Sequence, residues 1–296
     1  MANISAIILT YNEEIHIRRC IENLKQITDK IFVIDSYSTD NTVQIAEEQG
    51  AKVLYNKWEN NYSKQFNWAL DNAPIDTNWI IRIDADEYLT EKLIYEINNK
   101  LPNISQNVSG IEISLERYFL GKKIKFGIGK ISQVRIFRNG KAICEPKMMD
   151  EHMMIDGDII SFKGKWVDNN LSTLQEWCSK HNKYAIREAI DYMNIYNISN
   201  EEIDKYNLSN KSLTKHKNKN RYSKIPLFWR AFFYFCYRYI LILGFLDGKE
   251  GFLWHFLQGW WYRTLVDAKI FEIKKRCGND REKIKNYIKD NYNIEL

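Results

Sequence analysis

Four short apolar runs, each leading into a polar break and then an amphipathic stretch, restrict this chain to few folds. The runs are Ile4–Leu9, Lys30–Asp35, Ala51–Tyr55 and Trp79–Asp84. Runs this short read as buried strands, and the stretches between them place apolar residues at helical spacing, as at Ile17, Ile21 and Leu24. Asn12 is the expected N-cap of the first helix, Gly50 closes the second, and a third spans Tyr62–Asn72 ahead of Pro74. A β-α-β-α-β rhythm builds a parallel sheet with right-handed crossovers, so Thr10, Asp35 and Asp84, at strand carboxyl ends, should line one edge. Asp84, Asp86 and Glu87 crowd that edge. Taken alone, Asp84-Ala85-Asp86 reads first as an acidic surface turn. Its two carboxylates, one residue apart on chain leaving a strand, also suit a hard divalent cation with oxygen ligands.

Composition excludes several classes. The 296 residues are 45% hydrophobic, enough for a core, and a net charge of +5 is too mild to imply nucleic acid. Basic residues do concentrate at Lys211, Lys215, Lys217, Lys219, Arg221 and Lys224, with no acid among them, a pattern that favours anionic surfaces. Five dispersed cysteines without a Cys-x-x-Cys pair suggest reduced thiols, and the N-terminus has no signal-peptide pattern, so a cytoplasmic protein is expected. No glycine-rich phosphate loop follows the first run, which argues against a dinucleotide enzyme or a P-loop nucleoside triphosphatase.

Farther along, a helix is expected at Glu91–Leu101, and Gly110–Leu115 and Gln133–Arg138 alternate as half-buried strands do. Between those strands, the basic, glycine-punctuated loop Gly121–Lys130 either rests on phosphate or faces water. Lys147–His152 gathers ionisable side chains after Pro146, and a helix is expected from Ser172 to about Tyr196.

Three segments, Ile7-Ile8-Leu9-Thr10-Tyr11-Asn12-Glu13, Val33-Ile34-Asp35-Ser36-Tyr37-Ser38-Thr39-Asp40-Asn41-Thr42 and Asp84-Ala85-Asp86, resemble in this order the inverting family 2 glycosyltransferases of GT-A fold. Within that family the chain looks most like bacterial transferases of lipopolysaccharide-core and surface-polysaccharide synthesis, which carry a helix similar to Trp177-Cys178-Ser179-Lys180-His181-Asn182-Lys183-Tyr184-Ala185. The resemblance implies an α/β fold, a Rossmann-like, mostly parallel sheet flanked by helices. The catalytic domain would cover residues 1–200, with a nucleotide-sugar half to about 100 and an acceptor half beyond it. A basic linker at 201–224 and a helical region at 225–296 would follow.

Carried over by residue, the resemblance implies that Thr10, Tyr11 and Glu13 border the nucleotide and that Asp35 takes the uracil or its ribose side. Asp84 and Ala85 would face the ribose, with Asp84 also near the metal, and Asp86 would bind Mg²⁺ or Mn²⁺ directly. Asp168 stands where many relatives place a histidine near the metal, so its place as a third ligand is in doubt. Lys64 and Asn67 either help hold the nucleotide or form the solvated face of a helix. The donor would be a nucleoside-diphosphate sugar, with UDP expected, and the acceptor a saccharide or lipid-linked saccharide.

The metal would stabilise the diphosphate leaving group, and a separate carboxylate must take the acceptor's proton. Asp150-Glu151 is the downstream acidic pair that fits, with Glu151 in the family's base register and Asp150 close behind. His152 either orients that pair or packs beside it. Rival readings are a sugar nucleotidyltransferase and a non-catalytic membrane-bound scaffold.

The aromatic run from Ile225 to Leu246 is interrupted by Arg230 and Arg238, which argues against a membrane span. With the basic segment before it and a second aromatic stretch at Phe252–Tyr262, beyond a turn at Asp247–Gly251, it reads as an interfacial attachment to an anionic membrane surface. The inner face of the cytoplasmic membrane is the expected location. A helical hairpin packed on the catalytic domain, or a homodimer interface, is the alternative.

Overall fold

The computed structural model describes residues 2–195 and 206–296. Its first half alternates strand and helix: β1 (Ile4–Thr10), α1 (Glu14–Leu24), β2 (Ile31–Asp35), α2 (Thr42–Glu48), β3 (Lys52–Tyr55), α3 (Tyr62–Asn72) and β4 (Trp79–Asp84). After the acids come β5 (Glu87–Leu89), α4 (Glu91–Lys100), β6 (Val108–Phe119), β7 (Lys122–Ile124), β8 (Ser132–Arg138), β9 (Ala142–Cys144), β10 (Met153–Ile155) and β11 (Asp158–Asn169). The helices α5 (Leu174–Met193), α6 (Asn210–Ser223), α7 (Trp229–Cys236), α8 (Gly248–Trp254), α9 (Tyr262–Cys277) and α10 (Arg281–Tyr292) complete the described chain.

Among the described residues, nine strands form one sheet in the order β3-β2-β1-β4-β8-β6-β11-β5, with β7 beside β6. The first four are parallel, and their register places Thr10 opposite Asp35, Leu9 opposite Asp84 and Asp35 opposite Tyr55. The strand ends therefore share one edge, as the β-α rhythm predicts. Beyond β4 the sheet is mixed: β8 runs antiparallel to both β4 and β6, β11 runs parallel to β6, and β5 runs antiparallel to β11. No helix separates β6, β7 and β8, and short connections permit only antiparallel neighbours. The sheet is buried on both faces, against α1, α2 and α4 through Ile17, Ile21, Ala46, Leu93 and Ile97, and against α3 through Phe66 and Ala69.

Several local expectations are corrected. Glu13, not Asn12, precedes the first helical residue. Asn12 instead adopts a left-handed conformation, φ 56°, and its Oδ1 accepts from the Thr39 amide at 2.8 Å, tying the exit of β1 to the loop after β2. Residues 210–223, expected as a linker, form α6, started by the Ser209 hydroxyl accepting from the Ser212 amide and anchored by a Lys211–Glu112 ion pair. The end of the preceding helix expected at Tyr196, and the domain boundary expected at 200, lie outside the described residues.

The loop after β7 does not simply face water; it is where the C-terminal helices dock. Its Lys125 and Phe126 amides donate to Asp247 Oδ2 at 2.9 and 2.8 Å, and the Gly127 carbonyl accepts from Arg238 Nε at 3.0 Å. Gly127 has φ 67°, and a Cβ there would lie 2.4 Å from the His255 ring, so only glycine lets the loop approach so closely. Asp247 is thus a docking acid at the start of α8, where the sequence suggested only a turn. A second seam joins Ala185 and Ala189 of α5 to Tyr262, Val266 and Ile270 of α9.

Candidate active site

At the β1–β2 edge, buried Asp35 is held by three hydrogen bonds. Its Oδ2 accepts from Thr10 Oγ1 at 2.9 Å and from Ser38 Oγ at 2.6 Å, and its Oδ1 accepts from the Ser38 amide at 2.7 Å. The loop after β2 is thereby locked, and it presents Tyr37 stacked on Tyr55 with ring centres 5.6 Å apart. Tyr11, Tyr37 and Tyr55 are all exposed on this edge. Glu13 Oε2 lies 2.6 Å from His16 Nδ1, while His16 Nε2 accepts from the Leu171 amide at 2.8 Å. Those two bonds assign the Nδ1–H tautomer to His16, which joins the start of α1 to the segment after β11.

The acids after β4 divide into two kinds. Glu87 is interior: Arg135 grips both its oxygens at 2.9 Å, and Trp166 Nε1 and the Asp84 amide each donate to it at 2.9 Å. Four donors account for this third acid as the pillar beneath the turn. Asp84 and Asp86 are partly exposed above it. Tyr62 donates its hydroxyl to Asp84 Oδ1 at 2.6 Å, and Asn170 Nδ2 donates to Asp86 Oδ2 at 2.8 Å. The Ala85 side chain lies in the core, which leaves only its backbone to the site.

Arg19 clamps the Asp86 and Asn169 carbonyls at 2.9 and 2.7 Å, joining this turn to the end of β11. Burial raises the Asp86 carboxyl, but the Lys180 charge and the Asn170 hydrogen bond outweigh it and leave the group below the usual carboxylate range. Asp168, across from Glu87 in the strand register, pairs with Arg117 at 3.1 Å. Burial raises its carboxyl against the pull of Arg117.

A second acidic group stands on the loop between β9 and β10. Glu151 Oε1 accepts from Arg82 Nη2 at 2.7 Å, and Arg82 Nε donates to the Tyr62 hydroxyl at 3.2 Å. Asp84, Tyr62, Arg82 and Glu151 thus form one continuous chain from the acid turn to the loop. Asp150, with φ 60°, instead faces Lys215 and Lys219 of α6 at 3.1 and 3.3 Å. Burial opposes its ionisation, but the two lysines hold it well below the usual carboxylate range. Asn67 uses both amide atoms on the Cys144 backbone, donating to its carbonyl at 3.0 Å and accepting from its amide at 2.7 Å, which fixes the start of this loop. Lys64 points outward from α3 to Glu59 at 3.1 Å.

Sequence reasoning missed Arg19, Tyr62, Arg82, Arg135 and Asn170, because each acts across 20 or more residues of separation. Arg82 carried one signal, a charge inside an apolar strand that must find an acid once buried. Lys180 lay within the helix that resembled the family. Its ammonium sits 3.7 Å from Glu13, and Tyr184, then against burial the carboxylates of Asp86 and Glu13, raise its pKa well above the usual lysine value.

In comparison with known proteins, residues 5–140 match the model described as Glycosyl transferase family 2. An uncharacterized glycosyltransferase of Rickettsia felis is 46% identical over 97 residues, covering 33% of each chain. Glycosyltransferase SunS of Bacillus phage SPbeta is 36% identical over 87 residues, 29% of this chain and 20% of the relative. The Rickettsia matches span about a third of those relatives' length, 33% and 32% for the first two. Among solved structures, Staphylococcus aureus TarS 1-349 aligns over 93% of this chain and 91% of its own, at 13% identity and a TM-score of 0.45. Glucosyl-3-phosphoglycerate synthase of Mycobacterium tuberculosis, in complex with Mn²⁺ and UDP-glucose, covers 40% of this chain and 44% of its own, at 19% identity and a TM-score of 0.31.

Proposed function

We propose that this protein is a metal-dependent inverting glycosyltransferase that moves a sugar from a UDP-sugar to a saccharide or lipid-linked acceptor in cell-surface polysaccharide synthesis. The observation that carries the reading is the chain Asp84–Tyr62–Arg82–Glu151, which holds two acidic groups of separate duty in fixed relation. Tyr11, beside the buried Thr10–Asp35 pair, offers an exposed ring to a nucleobase. Asp86 and Asp84 form an oxygen donor set that fits Mg²⁺ or Mn²⁺, and Asp168 joins it only if Arg117 releases it. Bound there, the cation supplies Lewis-acid stabilisation of the departing diphosphate. Lys180 adds a fixed positive charge on the same side.

On the opposite face of the sugar, Glu151 takes the acceptor hydroxyl's proton as that oxygen bonds to the anomeric carbon. The bond to the diphosphate breaks in the same displacement, its electron pair leaves with the diphosphate, and configuration inverts. Glu151 suits this duty better than Asp150, whose depressed pKa weakens it as a base. The test is thermal-shift screening against nucleotide sugars with and without Mn²⁺, followed by metal-dependent donor hydrolysis. A UDP-sugar that stabilises the protein only with metal, and is hydrolysed, supports the reading. Absence of both responses for every nucleotide sugar overturns it.

The C-terminal helices are proposed to rest on an anionic membrane surface. Among the described residues, no single helix is long and apolar enough to cross a membrane, although Trp229–Leu241 and Gly244–Cys277, bent by 70°, pass that test as a pair. What supports surface attachment is the orientation of the arginines. Arg230 turns inward to Asp267, and Arg238 turns inward to Gly127 and Gln258. The outer face is left to Trp229, Phe233, Ile240, Leu241, Phe245 and Leu246, all exposed. Flotation with phosphatidylglycerol-containing liposomes at low salt tests this. Binding lost on neutral liposomes supports it, whereas a stable dimer that ignores liposomes assigns the face to a second copy.

A further inference from the structure

A group of potential ligands lies outside the acids already discussed, where the loop bearing Asp150 and Glu151 meets α6. Glu145 follows β9 and His152 precedes β10, and the Glu145 amide donates to the His152 carbonyl at 2.8 Å, closing the loop at its base. His216 reaches the same point from α6. His152 Nδ1 and His216 Nε2 each lie 3.4 Å from Glu145 Oε2, and the three atoms fall within 4.8 Å of one another. Ligands bound tetrahedrally to zinc at about 2.0–2.1 Å are separated by about 3.3 Å, so two of the three edges already have the required length.

The second observation is unmet bonding capacity. His152 is only 3% exposed, and its Nδ1 and the buried Glu145 Oε2 face each other at 3.4 Å, too far and too poorly aligned for a well-formed hydrogen bond. Buried polar atoms without partners are rare in folded proteins, and one explanation is an ion that they would ligate. A cationic head already lies beside the group: Lys147 Nζ is 2.7 Å from Glu145 Oε1 and 3.0 Å from His216 Nε2. Lys147 is partly exposed, on a flexible stem that can swing into water. Burial lowers the His152 pKa, against the pull of Glu145, and favours the neutral imidazole that binds metals.

We propose that Glu145, His152 and His216 form a zinc site that fastens the loop bearing Glu151 to the basic helix α6. Two imidazoles and one carboxylate suit zinc rather than magnesium, which prefers an all-oxygen shell. Three protein ligands leave a fourth position for water. The site does not depend on the proposed glycosyl transfer, because none of its ligands belongs to the acids after β4.

The test uses the full chain, stripped with a chelator and dialysed, then titrated with Zn²⁺ and, separately, with Co²⁺ as a spectroscopic probe. One Zn²⁺ per chain is expected, together with the visible absorption of tetrahedral Co²⁺. His216→Ala should weaken Zn²⁺ binding by at least about 100-fold, Lys64→Ala should leave it unchanged, and Lys147→Ala should tighten it by about tenfold by removing the competing ammonium. His152→Gln, checked for folding by circular dichroism, provides an independent second ligand variant. No stoichiometric Zn²⁺ in the wild type, or equal binding in folded His216→Ala and His152→Gln, overturns the proposal. So does weaker binding in Lys147→Ala, which would make the group an ordinary ion-pair cluster.

Discussion

The acid-lined sheet edge and the C-terminal aromatic helices both bury arginines, with opposite results at the surface. At the edge, Arg82 holds Glu151, which stays partly exposed, and Arg135 holds the interior Glu87, whose Oε2 accepts from the amide of the partly exposed Asp84 above it. In the helices, Arg230 and Arg238 are buried with equal care, but their partners, the interior Asp267, the half-buried Gln258 and the Gly127 carbonyl, carry no charge to the surface. The charge is consumed inside, and only aromatic and aliphatic side chains face outward. A buried charge must be paired, and the position of its partner decides whether the surface above becomes polar or apolar.

The comparison breaks most visibly at the site. Asp86→Ala and Glu151→Gln should each lower donor-dependent transfer by up to about 10⁴-fold, measured with the sugar nucleotide that gives the strongest thermal shift, while liposome binding is retained. Near wild-type turnover in Glu151→Gln would move the base to Asp150, with Asp150→Asn the next variant to assay. In the helices, Arg230→Ala strands Asp267 in the interior and should cost about 3–5 kcal/mol in urea unfolding.

A smaller effect comes from pH. Burial, with the Arg238 charge, lowers the His255 pKa to about 4 against the pull of the Phe126 backbone. The native state therefore binds fewer protons than the unfolded chain between pH ~6.5 and ~4. Stability is fully present above that window and is lost as pH falls through it, by about 3 kcal/mol from this residue. Burial likewise lowers the His181 pKa to about 4, which adds loss in the same direction. His255→Leu should flatten the pH dependence by its share; an unchanged slope would remove His255 from the account.

The smallest stability change is expected on the outer face. Trp229→Ser with Phe233→Ser should alter unfolding by no more than about 1 kcal/mol, yet lower liposome binding by about tenfold or more. Retained binding would show that this face is not the attachment surface.

Much of the parallel half of the fold was legible because strand and helix periodicities are local. Thr10, Asp35 and Asp84 could be assigned to one edge since each ends an apolar run, and crossover handedness leaves little choice of arrangement. The antiparallel half was harder to read: β11 alternates poorly, with exposed and buried residues mixed along its 12 positions, and β5 is too short to register as a strand. Within the segment 201–224, read as a basic linker, α6 was not legible because it has almost no apolar face and packs instead through lysines against Glu112 and Asp150.

By itself the sequence determined the order of the first strands, the polar residues at their ends and the acid pair after Pro146, all encoded in short patterns. Only the tertiary structure decided that Glu87 is a pillar, that Asn67 bonds to Cys144, that Glu145 meets His216 from a helix far along the chain, and that Arg230 and Arg238 point inward. Each of these is the direction of a side chain toward a partner distant in sequence. Such directions follow from how elements pack, because a buried polar group takes the partner that packing brings to it.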